Sequence, residues 1–416
     1  MWNVCSATLT LKTDGRKMRT IQELQQLQAL PLNLKIRLTQ ERIRQWVNEY
    51  GEDGCYISFS GGKDSTVLVD IADKMGYDIP LVFVDTGLEY PEIRDFVKGY
   101  GDRVEWLKPK MNFKKVIEKY GYPFISKEVS ECVYGARKYL TSLQKEETLD
   151  RQTDRQPTSI GLKDSADWES MATQSPYAFQ WEKLTATGRY GNVSLQMLMG
   201  VYTKNGKLTE KTIPSAKDKS RYSCERYKFF LDAPFEISNQ CCNVMKKSPA
   251  HRYNKETGRY PMTAQMAAES RLRTQNWVKH GCNGFDLKIP TSNPMSFWTE
   301  QDVLLYIKTQ GIPICSVYGD IIEEGQLEGQ MTWDDAPGYG IFDMPNTALT
   351  TTGCKRTGCM FCGFGCHISG DDRFVRMKQT HPQVYDYIMR PKDKGGLGYK
   401  EVIDWINEHG NFNIKY

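Results

Sequence analysis

Nowhere in the 416-residue sequence is there a run of about 18 apolar residues, the length a membrane-crossing helix needs. Met1 to Thr20 is polar and lacks the apolar stretch of a secretory signal. Neither sign of charge dominates: 55 Lys and Arg against 51 Asp and Glu leave +4. That balance excludes a globally basic nucleic-acid binder and a charge-rich disordered chain. No internal repeat is present, and 12 cysteines in 416 residues are about 3%, well below the 8–10% of disulfide scaffolds. The expectation is a soluble cytoplasmic protein with no membrane partner, long enough for two or three domains.

What is present is clustered. Cys241 and Cys242 are adjacent, and Cys354, Cys359, Cys362 and Cys366 fall within one short stretch. In a reducing compartment such thiols point to metal or redox chemistry rather than disulfides. Thr39–Tyr50 reads as an amphipathic helix, with Ile43, Trp46, Val47 and Tyr50 on one face and Gly51 after it. A strand at Tyr56–Phe59 runs into Ser60-Gly61-Gly62-Lys63-Asp64-Ser65, followed by a helix carrying Val67, Leu68, Ile71 and Ala72. The strand Leu81–Val84 then ends in Asp85-Thr86-Gly87. Pro91–Tyr100 and Asn112–Tyr120 read as helices, with Arg103–Leu107 extended between them. Strands alternating with helices predict an α/β fold with a doubly wound parallel sheet.

The expected organisation is an N-terminal extension (1–34), an α/β nucleotide-binding domain in two parts (35–140 and 236–345), an insertion between them (141–235), and a cysteine-rich C-terminal region with helices (346–416). Residues 141–180 carry four Lys and Arg against seven Asp and Glu and read as loosely structured. Residues 181–230 reverse the sign, ten against four, and interleave Trp181, Tyr190, Tyr202, Tyr222 and Tyr227, with a hairpin turn at Asn205-Gly206. The stretch suits a nucleic-acid acceptor bound through phosphate contacts and base stacking, or a solvated β excursion. The sheet is expected to resume near Cys241. Thr299 and Asp302 cap a helix that Gly311 ends, and Lys400–His409 forms the last helix.

In Ser60–Ser65 the two glycines admit positive φ and close approach of backbone N–H groups to a ligand. The start of the following helix adds unpaired amides and a positive dipole end, which suits a phosphate. Lys63 adds a mobile charge, and Ser60 and Ser65 add hydroxyls. A plain strand-to-helix turn with polar tips is the other reading of the same residues. The spacing is neither the Walker pattern nor Gly-x-Gly-x-x-Gly.

The segment resembles the PP-loop of the adenine-nucleotide α-hydrolase superfamily. Further blocks are similar to the phosphoadenosine phosphosulfate (PAPS) reductase family: Phe83 to Glu92, Cys241-Cys242 through Pro249, Ala268 to Arg273 with its Ser-x-x-Arg, and Asn293 to Val303. The resemblance implies that Ser60, Gly61, Gly62, Lys63, Asp64 and Ser65 hold a phosphate or sulfate. It implies that Asp85, Thr86, Gly87, Ser270 and Arg273 line the nucleotide site, and that Lys63, Asp64, Lys246 and Arg273 serve catalysis, with Lys246 and Arg273 facing the anion. Ala264 and Met266 stand where the family has Gly and Arg, which removes one anion partner.

Four thiolates suit zinc or an iron–sulfur cluster. Adjacent cysteines are unusual for zinc. The family's cluster-bearing members combine a Cys-Cys with a distant Cys-x-x-Cys. That resemblance implies a 4Fe-4S cluster on Cys241, Cys242, Cys359 and Cys362, next to the nucleotide. Cys354, Cys359, Cys362 and Cys366 could instead form a local site. The family's sulfonucleotide reductases attack sulfur with a mobile C-terminal thiolate, whereas the last cysteine here is Cys366, beside the cluster motif. The leading expectation is therefore an ATP pyrophosphatase that adenylates an acceptor for sulfur transfer, with Mg²⁺, as in relatives such as the DNA-phosphorothioation ATPase. A sulfur donor or reductant protein is an expected partner. The alternatives are a PAPS or adenylyl-sulfate reductase and a nucleotide-binding regulatory module.

Overall fold

The computed structural model describes residues 19–152, 192–200, 223–324 and 348–416. Its strands are β1 (Cys55–Ser58), β2 (Leu81–Val84), β3 (Val104–Leu107), β4 (Phe124–Ile125), β5 (Tyr260–Met262), β6 (Asn283–Gly284), β7 (Thr291–Ser292), β8 (Ile321–Glu323), β9 (Leu349–Thr351) and β10 (Gly363–Phe364). Six of them form one sheet in the order β3-β2-β1-β5-β7-β6, parallel except for the β6–β7 pair. The expected α/β fold with a mostly parallel sheet is present. The chain runs outward from β1 on one side and returns to its other side at β5, so a switch point lies beside the carboxyl end of β1, where such sheets take their ligands.

Two compact units divide the chain. The first comprises residues 1–85, 89–107 and 250–357, and the second 86–88, 108–249 and 358–416. The first contains the six-stranded sheet. Its core packs Ile57, Phe59, Val67, Leu68, Phe83 and Met262 with Trp46, Trp298 and Tyr306. The Asn293–Val303 block builds this core: Trp298 is fully buried and its indole N–H donates to Thr39 Oγ1 at 2.9 Å. Asp302 completes the capping box with Thr299 and takes the buried Lys35 ammonium at 2.7 Å. In the second unit β10 pairs with β4 in parallel, and the long helix Lys127–Gln152 packs against Val193–Leu198 and Glu225–Asp232.

Two sequence expectations are corrected. The sheet does not resume near Cys241: Gln240–Cys242 is a helical turn, Asn243–Lys247 is π-helical, and Ser248–Thr257 is α-helical before β5 begins. The run Asn243 to Ser248 has no alternation of apolar and polar residues to support a strand, and Pro249 fits the first turn of a helix. Residues 141–152, expected to be loose, continue the Lys127–Gln152 helix, because Leu, Gln, Lys, Glu and Arg are good helix formers even without an apolar stripe. Residues 153–180, most of 181–230 and Asn205-Gly206 lie outside the described residues. No helix among the described residues is long and apolar enough to cross a membrane.

The turn after β1 is shaped by a close approach. Gly61 has φ +68°, and a Cβ there would lie 2.7 Å from Val97 Cγ2 and 2.9 Å from Ile93 Cγ2. Both are buried residues of the helix Pro91–Lys98. Gly61→Ala is expected to destabilise the protein by about 1–3 kcal/mol, combining backbone strain with overpacking. A denaturant titration checks this, and an unchanged midpoint would show that the helix simply moves aside.

Candidate functional site

The Ser60–Ser65 turn lies between the end of β1 and the helix Lys63–Lys74, whose N-cap is Gly62. It is internally braced. Ser65 Oγ accepts from the Ser60 amide at 3.3 Å and donates to the Gly62 carbonyl at 2.8 Å. Ser60 Oγ accepts from the Gly62 amide at 3.3 Å. Both serines therefore hold the shape of the turn. The mobile charge expected of Lys63 is corrected. Its side chain is 3% exposed, and its ammonium donates to the Lys355 carbonyl at 3.0 Å and pairs with Glu300 at 3.2 Å and Asp64 at 3.7 Å. The Lys63 amide, the first of the helix, donates to the Tyr318 hydroxyl at 3.2 Å, and that hydroxyl shares a 2.6 Å bond with Thr357 Oγ1. Burial raises the Tyr318 phenol to about 12, so it stays protonated at neutral pH.

Carboxylates and cations interleave around the turn. Burial raises Asp64, opposed by Lys63, Arg356 and Arg273. Its Oδ1 is buried with no hydrogen-bond partner among the described residues. Ser270 caps the helix Arg271–His280 by accepting from the Arg273 amide at 3.3 Å. Arg273 pairs with Glu269, and Arg356 lies 3.7 Å from the other oxygen of that carboxylate. Burial and the neighbouring Arg356 charge lower the Arg273 guanidinium's hold on its proton. Asp85, at the end of β2, is 7% exposed and pairs with Arg94 at 3.0 Å.

Thr86, Gly87 and Lys246 fall in the second unit. Thr86 Oγ1 accepts from the Leu88 amide at 3.2 Å, and Gly87 takes φ +73°. Lys246 lines a cavity together with Cys241, Cys242, Cys359, Cys362, Leu88, Phe113 and Phe361. The four thiols singled out in the sequence are thus brought together. The helical turn that passes into a wider π-turn at Asn243 carries both neighbouring cysteines to the same cavity, and π-segments often occur at functional sites.

Cys241 donates to Cys242. This bond, with Lys127, Lys246 and Lys247 nearby, lowers Cys242, whereas Cys241 is raised. The Cys-x-x-Cys turn is clamped from several sides: the Cys362 amide donates to the Cys359 carbonyl at 3.0 Å, Tyr399 Oη to the Phe361 carbonyl at 2.6 Å, and Arg373 to the Cys362 and Phe364 carbonyls at 2.9 and 2.8 Å. Cys366 does not line this cavity. It is 2% exposed, and burial pushes it to about 12. Cys354 belongs to the first unit, its amide bonded to the Val317 carbonyl at 2.9 Å. Among the described residues, no group of three or more His, Cys, Asp or Glu is arranged to hold a metal ion.

Sequence reasoning missed Glu300, Tyr318, Arg356 and Thr357. Two signals were available: Glu300 sits within the Asn293–Val303 block, and Arg356-Thr357 directly precedes Gly358-Cys359.

Parts of the chain are similar to known proteins. An uncharacterized protein of Methanocaldococcus jannaschii is 44% identical over 70 residues, 16% of this chain and 17% of the relative. The adenosine 5′-phosphosulfate reductase of Staphylococcus epidermidis is 28% identical over 97 residues, 22% of this chain and 40% of the relative. The chain therefore spans less than half the length of these curated relatives. The solved phosphoadenylyl-sulfate (PAPS) reductase of Candida auris, a phosphate complex, aligns with 73% of this chain and 92% of its own at 14% identity and a TM-score of 0.31. The family described as phosphoadenosine phosphosulfate reductase domain matches residues 54–162 and 193–363, well over half of the sequence. The chain belongs to the phosphoadenosine phosphosulfate reductase domain family.

Proposed function

We propose that this chain is an adenine-nucleotide enzyme that adenylates an acceptor, releases pyrophosphate and readies the acceptor for sulfur. The acceptor oxygen attacks the α-phosphorus of ATP, the bond from the α-phosphorus to its bridging oxygen breaks, and pyrophosphate leaves. A sulfur nucleophile then displaces AMP from the activated position. Lys63, at the helix N-terminus, and Arg273 stabilise charge on the departing pyrophosphate. Asp64 Oδ1, which accepts no hydrogen bond and has only the long 3.7 Å pair with Lys63, and Glu300 are hard donors of the kind that suit a Mg²⁺ arriving with the nucleotide.

The observation that carries this reading is the state of Cys366. A sulfonucleotide reductase needs a mobile thiolate of low pKa, and Cys366 is buried and pushed up to about 12. The second reading, a sulfonucleotide reductase, is favoured by relatives named adenosine 5′-phosphosulfate reductase. We assign Cys241, Cys242, Cys359 and Cys362 to a 4Fe-4S cluster. Their donor set suits it: a cube takes one thiolate at each iron, and these four thiols line one cavity. Such a cluster supplies electron- or sulfur-handling chemistry when bound. In this reading Lys127 and Lys246 offset the negative charge of the thiolates. The basic 181–230 stretch is the proposed contact for a nucleic-acid acceptor.

The test is a product assay on anaerobically purified protein, offered ATP with oligonucleotides and, separately, adenosine 5′-phosphosulfate with thioredoxin. Acceptor-dependent pyrophosphate release is expected. Sulfite release without pyrophosphate would establish the reductase reading instead.

A further inference from the structure

The family pattern leaves a gap in this chain, since Met266 stands where an arginine is expected, and Met266 is 2% exposed with no charge to offer an anion. The described residues hold a guanidinium that the family motif does not include. Arg356 lies on a short segment whose two neighbours both contact the loop: the Lys355 carbonyl holds the Lys63 ammonium at 3.0 Å, and Thr357 Oγ1 meets the Tyr318 hydroxyl that sits on the Lys63 amide.

The segment is anchored. The Gly353 and Cys354 amides donate to the Tyr318 and Val317 carbonyls at 2.8 and 2.9 Å. A Cβ at Gly353 would fall 2.4 Å from the Val317 carbonyl oxygen, so only glycine allows this approach. Arg356 is therefore positioned by its backbone, while its own side chain remains 58% exposed and free to turn. Its resting contact is the long 3.7 Å pair with Glu269, a carboxylate already taken by Arg273. Its charge reaches both Asp64 and Arg273.

We propose that Arg356 is the second guanidinium of the anion site, supplying from the segment before Cys359 the charge that Met266 does not. The ligand it takes is the polyanionic tail of an adenine nucleotide, a polyphosphate or a phosphosulfate. Lys63, Arg273 and Arg356 stand against Asp64, Glu269 and Glu300, so the site is balanced at rest. An arriving tail takes over the cations, and Arg356, with the weakest resting contact, turns at the least cost. A guanidinium suits this role because its fork can bond two oxygens of one phosphoryl group.

This assignment rests on reading Ser60–Ser65 as the phosphate site, and the experiment separates the two. Calorimetric titrations at constant ionic strength compare ATP, pyrophosphate, adenosine 5′-phosphosulfate and adenosine on the wild type, Arg356→Ala, Arg356→Lys and Lys63→Ala. Arg356→Ala is expected to weaken one or both nucleotides about tenfold or more, with Arg356→Lys recovering part of the loss and adenosine unchanged. The nucleotide that shows the loss names the tail. Affinities unchanged in Arg356→Ala but lost in Lys63→Ala would overturn the role of Arg356 alone. An equal loss for adenosine would make Arg356 structural and overturn it too. Affinities unchanged in Lys63→Ala, or no binding of any anion by the wild type, would overturn the loop reading and this assignment with it.

Discussion

Replacing Lys63 with methionine is expected to reduce pyrophosphate release from ATP by about 10²–10³-fold while the protein stays folded. The size of the effect follows from how the side chain is held. Its ammonium is buried at the first turn of a helix, oriented by the Lys355 carbonyl and Glu300 before any ligand arrives. A charge fixed in advance needs no reorganisation as the leaving group becomes negative, which makes it more effective than a solvated lysine. Methionine keeps the stem against the Tyr318 ring, which the ammonium overlies at 5.5 Å. Glu300 and Asp64 are 38% and 31% exposed, so water takes up part of the lost contact, and the stability loss is expected to be only about 1–2 kcal/mol. Steady-state pyrophosphate assays paired with thermal melts check both figures. A variant within about threefold of the wild-type rate would remove Lys63 from the chemistry.

The second large effect concerns iron. After anaerobic reconstitution, Cys241→Ser and Cys359→Ser are each expected to lose nearly all bound iron, whereas Cys354→Ser retains it. Cys241 and Cys359 line the same cavity, while Cys354 is tied by its backbone into the other unit. Losing one of four thiolates leaves an iron without its soft ligand, and a serine hydroxyl is a poor replacement. Iron quantitation and the visible spectrum provide the readout. Iron that survives in Cys241→Ser but disappears in Cys354→Ser would favour a local site built from Cys354, Cys359, Cys362 and Cys366.

Much of the fold could be read from local patterns. The strands β1 to β3 and the helices that follow β1 and β2 announce themselves through short apolar runs and glycine or proline boundaries, and the Thr299–Asp302 box marks its helix to the residue. The region around Cys241 resisted because a π-turn has no sequence period of its own. What decides it is the packing of two neighbouring thiols into one cavity, which is a tertiary matter. In the site, residues next to a glycine turn were legible, whereas Glu300, Tyr318 and Arg356 reach Lys63 and its neighbours from far along the chain. Ser60 and Ser65 were read as hydroxyls offered to a phosphate, whereas in the structure they brace the turn itself.

The Tyr318–Thr357 hydroxyl pair on the Lys63 amide makes recognition a contest between oxygens. At the Lys63 amide an anion does not meet a bare N–H group; it must outbid a hydroxyl already seated there. Feebly accepting ions such as chloride gain nothing from that exchange, whereas the strongly basic oxygens of a phosphoryl tail do. An internal competitor of this kind sets a threshold at that amide, which a weakly accepting ion does not pass.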